Sequence, residues 1–274
     1  MYPNLFENIL GESFAVHLGS YRIMGVTASL YLLFQAGRLL FARLGIYRTA
    51  IAMSVIVTVF FIGSRLLYGL LYLPRVLDDP TILYALKLNN FTLFGGMALS
   101  LLAWWIISNK NKLPFIKITD ILAPHVGISI AIMRIGCFLN GCCYGKTSEV
   151  PWAVTFPLLS PAHLAQFYAD PQNSIFSVSP VHPTQLYEMV VALLASTAAW
   201  FVGAKNYSPG MATAIFGLVL TAGRFITFYF RDFPVASDIS NIIRGPVVYG
   251  TAFVVFLFWA YNVYTGKKSG RCSD

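Results

Sequence analysis

A chain of 274 residues that is 57% hydrophobic, 15% aromatic and only 11% charged carries less than half the charge of an ordinary soluble domain, which averages about 25%. Its mean hydropathy of +0.67 excludes a water-soluble surface, and several apolar runs approach or exceed the roughly 18 residues that cross a bilayer. The formal charge of +8 is no nucleic-acid footprint, because no basic run is long enough to follow a groove, so the cations read as topology signals and anion ligands.

The opening MYPNLFENILGESFAVHLGS is mixed in polarity and lacks the plan of a cleavable signal peptide. The apolar segments predict an all-α, polytopic helical bundle of about seven transmembrane helices, at roughly 21–43, 50–74, 91–108, 118–140, 184–204, 210–230 and 242–264. They form a single expected domain over 1–274, without an internal repeat. Arg38, Arg43 and Arg48 follow the first segment, Lys110, Lys112 and Lys117 separate the third from the fourth, and Lys267, Lys268 and Arg271 occupy the tail. The positive-inside bias assigns these loops, with Lys205, to the cytoplasm. An odd helix count then leaves the N-terminus and the long 144–182 connection outside, where Arg75, Lys87 and Lys146 are offset by Asp78, Asp79, Glu149 and Asp170. That connection is rich in aromatics and prolines, which predicts an ordered extracytoplasmic arm rather than a slack loop. Within it SPAHLAQFYADP has a Ser160 cap and Pro161 at the first helical position, predicting a short helix on the membrane surface.

Charged side chains inside spanning segments are rare and face a bundle interior or a wet cavity. Here they are Arg22, Arg65, Asp120, Arg134, Glu188 and Arg224. Arginine presents a planar fork that grips phosphate or carboxylate and keeps its charge when buried. Several converging arginines therefore imply an anionic ligand, and the anion at hand in a bilayer is an acidic phospholipid. Arg22 and Arg65 have the alternative of snorkelling or pairing with Asp120 or Glu188. Around Arg134, the run MRIGCFLNGCCYGK spaces Gly136, Gly141 and Gly145 about Asn140 and three cysteines. This reads as a glycine-interrupted turn that approaches a ligand at membrane depth, or more simply as a helix C-cap at Gly141.

At these residues the sequence resembles the prolipoprotein diacylglyceryl transferases. RIGCFLNGCCYG is similar to their Arg-Ile/Leu-Gly-Asn-Phe-x-Asn-Gly-Glu-x-x-Gly signature, flanked in order by DILAP at Asp120 to Pro124 and HPTQLYE at His182 to Glu188. GRFITFYFR resembles their sixth-helix arginine segment, while Tyr21, Arg65 in GSRLLY and FGG at Phe94 to Gly96 also fall at recognisable positions. The resemblance covers most of the chain. It implies transfer of a diacylglyceryl group from phosphatidylglycerol to a lipobox cysteine thiol of an exported prolipoprotein, in the bacterial cytoplasmic (inner) membrane. Arg134 and Arg224 would hold the leaving phosphate, and no metal or organic cofactor is implied. Tyr21, Arg65, Asn140, Gly141, Gly145 and Glu188 complete the expected substrate-binding set.

The sequence also departs from the family. Cys137 stands where the signature has Asn, Cys142 where it has Glu, Phe94 where a His-Gly-Gly begins, and Phe228 where an acid follows the sixth-helix arginine. Four cysteines in a chain this long are no disulfide framework. Cys137, Cys142 and Cys143 read as a nucleophile at Cys137 beside Arg134, as a redox pair, as a metal site disfavoured by the lack of CxxC spacing and of a nearby histidine, or as small packing residues. His182 is the histidine placed to act as a base, with a structural helix entry at His182-Pro183 as the alternative. Three functions thus remain open: the transferase, a catalytically lapsed phospholipid-binding protein, and a membrane thiol oxidoreductase.

Overall fold

The computed structural model describes residues 19–78, 92–169, 178–205, 207–232 and 239–270. Expectations resting on the chain before Gly19, on Asp79, Lys87, Asp170 and Arg271, and on the side chains of Arg75, Asp78, Phe94, Lys267 and Lys268 lie outside the described residues.

Helix α1 (Ser20–Leu71) runs for 52 residues, about 78 Å at 1.5 Å per residue. That is more than twice the roughly 30 Å of a bilayer's hydrocarbon core. It breaks at Gly45, where φ is 74° and ψ is 172°, a conformation that residues with a Cβ avoid. The first two expected spans are thus halves of one element, and the break falls in the basic link between Arg43 and Arg48. Helices α2 (Leu73–Asp78), α3 (Leu93–Lys110), α4 (Phe115–Asn140), α5 (Pro161–Ala169), α6 (Thr184–Ala204), α7 (Met211–Phe230) and α8 (Ile239–Gly270) follow. By length and apolarity α1, α4, α6, α7 and the Gly245–Gly266 part of α8 can each cross a membrane. The protein is an all-α, polytopic helical membrane protein. Its apolar side chains agree with a lipid solvent: Leu30, Phe34, Leu66, Val254 and Phe258 are each more than half exposed, and a hydrocarbon surround leaves no reason to hide them.

The described chain falls into two compact units. In the unit Leu33–Ile118, the second half of α1 crosses α3 at Gly63 and Gly95, where a Cβ on either would lie within 2.4 Å of the other's carbonyl oxygen. Thr92 donates to the Ser64 carbonyl through both its amide and its hydroxyl, at 3.1 and 3.0 Å. The glycines of FGG therefore form a helix-packing seam of the small-residue kind used between membrane helices. Arg65 belongs to this unit and is partly buried.

The second unit holds the described residues up to Leu32 and from Thr119 onward. Ala123 of α4, Ala195 and Ala199 of α6, and Ala212 and Phe216 of α7 pack as its core, small side chains letting the backbones come close. Asp120, noted from sequence as an intramembrane charge, turns out to be structural. Its carboxylate accepts from the amides of Gly210 and Thr213 at 2.6 and 2.9 Å, and from the Thr213 hydroxyl at 2.6 Å. It caps α7 from a neighbouring helix, where exposed amides and the positive end of the helix dipole favour an anion.

The described parts of the expected arm, 144–169 and 178–182, are ordered. Ser160 Oγ accepts from the His163 amide at 3.2 Å and starts α5 one residue before Pro161. Tyr144, Phe156, Ala162 and Val181 form a small core beneath it. Val154 and Val181 exchange two backbone hydrogen bonds, at 3.0 and 3.1 Å. His163 is buried at 1% exposure, with its Nδ1 accepting from the Leu159 amide at 3.0 Å.

Candidate active site

Glu188 lies just over one turn into α6 and is 4% exposed. Three arginines converge on it. Arg134 of α4 places Nε 2.8 Å from Oε2, Arg224 of α7 pairs with Oε1, and Arg231, just past α7, approaches Oε1 at 3.7 Å. Arg224 also donates to the Tyr249 hydroxyl at 3.1 Å, with its guanidinium 5.4 Å from that ring's centroid, which brings α8 into the cluster. Three cations around one carboxylate give the cluster an excess of positive charge in a setting that water screens poorly. A site so charged is complementary to a small polyanion.

The cysteine turn adjoins this cluster through Arg134, whose Nη1 is 3.8 Å from Cys137 Sγ. Helix α4 ends in a Schellman motif: the Gly141 amide donates to the Phe138 carbonyl and the Cys142 amide to the Cys137 carbonyl, each at 3.2 Å. Gly141 takes the left-handed φ of 71° that this cap requires. The fold-back carries Cys142 and Cys143 over Cys137, and the three Sγ atoms lie within 4.8 Å of one another. None is in a disulfide. Hydrogen bonds from the Cys137 and Cys142 thiols, with the Arg231 and Arg134 guanidiniums, hold the Cys143 thiol well below its ordinary range despite its burial. Burial, with the Asp232 carboxylate adding to it, pushes the Tyr144 phenol up to about 12.

The start of α6 fixes this turn from the other side. Thr184 Oγ1 donates to the Cys143 carbonyl and Gln185 Nε2 to the Cys142 carbonyl, both at 2.7 Å. The chain beyond is stitched to its neighbours by Gly145 N to His182 O and Lys146 N to Phe230 O, both at 2.9 Å. A Cβ at Gly145 would lie 2.5 Å from the Phe230 oxygen and 2.6 Å from His182 Cβ, so only glycine fits there.

Of the residues expected from sequence, Arg134, Arg224, Glu188 and Cys137 come together. Asn140, Gly141 and Gly145 shape the turn, and the Gly141 amide is taken up by the helix cap. Tyr21 lies on the first turn of α1, which passes α4 closely enough that a Cβ at Gly136 would sit 3.3 Å from Tyr21 Cα. Arg65 lies in the other unit. His182 Nδ1 is 3.1 Å from the Tyr187 hydroxyl, which accepts from Trp152 Nε1 at 2.7 Å; its ring packs edge-on against Tyr187 and Phe230. Phe228 fills an apolar place, its ring occupying the space that a Cβ on Gly245 would need. Arg231 carries no role in the sequence reading. The available signal was its spacing of seven from Arg224, two helical turns along the same face.

Comparison with known proteins shows the family. Residues 9–263 match the model of the family described as prolipoprotein diacylglyceryl transferase. A phosphatidylglycerol–prolipoprotein diacylglyceryl transferase of Proteus mirabilis (strain HI4320) is 32% identical over 217 residues, 74% of this chain and 73% of its own. That of Pseudomonas fluorescens (strain SBW25) is 30% identical over 213 residues, 73% of this chain and 72% of its own. A relative of the same name from Azotobacter vinelandii (strain DJ / ATCC BAA-1303) is 33% identical over 171 residues, covering 62% of this chain and 58% of its own length. With the family model matched almost from end to end, the chain belongs to the prolipoprotein diacylglyceryl transferase family.

Proposed function

We propose that the chain transfers the diacylglyceryl group of phosphatidylglycerol, or of a related anionic phospholipid, to the cysteine thiol of an exported prolipoprotein or lipobox-like acceptor. Glycerol phosphate is the leaving group. The observation that carries this reading is the meeting of Arg134, Arg224 and Arg231 on buried Glu188. A phosphodiester brings one negative charge, and the departing glycerol phosphate carries about two. An excess of positive charge therefore favours the more highly charged leaving group over the ground state, which is the condition for lowering the barrier. The acceptor's S–H proton passes to a base as sulfur bonds to the glyceryl carbon. The bond from that carbon to the phosphate oxygen breaks, and its electron pair leaves on the phosphate.

His182 is the base in this scheme. With Trp152 donating to Tyr187 and Tyr187 donating to Nδ1, an incoming thiol can give its proton to the Tyr187 oxygen as the phenol passes its own to the ring. Cys137 contacts the reacting group beside Arg134, and Tyr21 completes the lipid site. The loop cations support an extracytoplasmic N-terminus and arm and a cytoplasmic C-terminus, the orientation in which the site meets an exported acceptor.

Apolar Phe228, where the resembling enzymes have an acid, favours a second reading: the site binds the phospholipid without turnover. Purified protein in phosphatidylglycerol micelles, given a lipobox peptide, is expected to release glycerol phosphate, with a loss of about 100-fold or more in Arg134→Ala. Release unaffected by that change overturns the mechanism. Lipid binding without release establishes the second reading.

A further inference from the structure

Of the three converging thiols, the proposed transfer reaction uses Cys137 alone and leaves their convergence unexplained. We propose that Cys137, Cys142 and Cys143 form a three-coordinate thiolate site for a soft metal ion of the monovalent-copper class. The residues lie five and one apart in sequence, yet the Schellman fold-back brings their sulfurs within 4.8 Å of one another. Three sulfurs around one ion at about 2.3 Å stand about 4 Å apart in a trigonal plane, so side-chain adjustments alone close the set.

The surroundings are those of a supported site. The carbonyls of Cys142 and Cys143 are held by Gln185 and Thr184, both fully buried, and Arg134 donates toward the Cys137 sulfur. Such outer contacts fix ligand orientation. Cys142 and Cys143 are partly exposed while Cys137 is buried, which gives an entry path ending on an enclosed ligand.

Ligand type and charge choose the ion. A thiolate-only set selects soft ions, and no histidine or carboxylate joins the group among the described residues, so zinc would lack the fourth ligand it takes in closed structural sites. Binding breaks up to three S–H bonds, sends those protons to water and changes no oxidation state. The complex of one monovalent cation with three thiolates carries two negative charges, which the Arg134 and Arg231 guanidiniums beside the turn favour.

The test uses the full chain in detergent under anaerobic conditions, in a Cys272→Ser background that removes the fourth cysteine, with cuprous ion titrated against bicinchoninate. One equivalent is expected to be withdrawn from the chelator, and X-ray absorption of the loaded, otherwise unaltered chain is expected to show three sulfur neighbours at about 2.3 Å. Cys137→Ser, Cys142→Ser and Cys143→Ser should each weaken uptake by more than about tenfold. Two sulfur neighbours, tighter uptake of zinc than of copper, or undiminished copper uptake after all three substitutions would each overturn the assignment. The absorption measurement needs no variant to fold, and none of these readouts depends on lipid turnover.

Discussion

Glu188 and Arg134 meet at 2.8 Å with side chains 5% and 10% exposed, so α4 and α6 are pinned to each other by an ion pair in the interior of a lipid-facing bundle. Removing one partner of a buried pair strands the other charge, at a cost of about 3 kcal/mol or more. Glu188→Gln, which takes the carboxylate away from three arginines, is therefore expected to lower the thermal midpoint in detergent. Added phosphatidylglycerol should restore more stability to this variant than to the parent chain, because the lipid phosphate supplies the missing anion.

Arg231 is held farther from Glu188 than Arg134 is, at 3.7 Å. Arg231→Ala is expected to slow glycerol phosphate release by about tenfold, clearly less than the roughly 100-fold or greater loss at Arg134→Ala. Initial rates at saturating phosphatidylglycerol distinguish the two.

The lowered Cys143 pKa has a direct consequence for reactivity. Thiolate persists at any pH above that lowered value, so labelling of metal-free protein by iodoacetamide should continue at pH 6. An ordinary thiol, with a pKa near 8.5, falls to well under a hundredth of its thiolate there. Mass spectrometry of labelled peptides at pH 6 and 8 is expected to find Cys143 modified at both, and Cys143→Ser to abolish the labelling at pH 6.

Asp120 is expected to behave as a structural residue. Asp120→Asn keeps the shape but removes the charge and one acceptor from the α7 cap, for a loss of about 1–2 kcal/mol. Thermal unfolding should register that loss, while glycerol phosphate release per folded molecule stays within about twofold of the parent.

Much of this was legible in the chain. Apolar run lengths marked the spans, the basic stretch Arg43 to Arg48 marked where α1 breaks, and Ser160-Pro161 marked the start of α5, because each signal is local. Arg134, Glu188 and Arg224 were legible as site residues for another reason: a charge in hydrocarbon needs a partner, so three of them in three helices point at one another. The role of Asp120 was hidden because its partners, Gly210 and Thr213, lie 90 or more residues away. Spacing argued against a metal role for the cysteines. That argument presumed an extended or helical chain, whereas the left-handed residue at Gly141 reverses the backbone and makes sequence spacing a poor guide to sulfur separation.

The carboxylate at the centre of the arginine cluster has a further consequence. Glu188 already occupies the arginine cluster, so in the proposed reaction an arriving lipid phosphate would join by displacement, taking over guanidinium contacts that Glu188 gives up. Dilute, weakly bonding anions are poor competitors against a partner fixed in place at high local concentration. A phosphate delivered at the end of a membrane-anchored lipid competes on more equal terms. In the proposed reaction Glu188 would thus act as a threshold, keeping the cluster assembled between turnovers and yielding it to an anion that the bilayer itself presents.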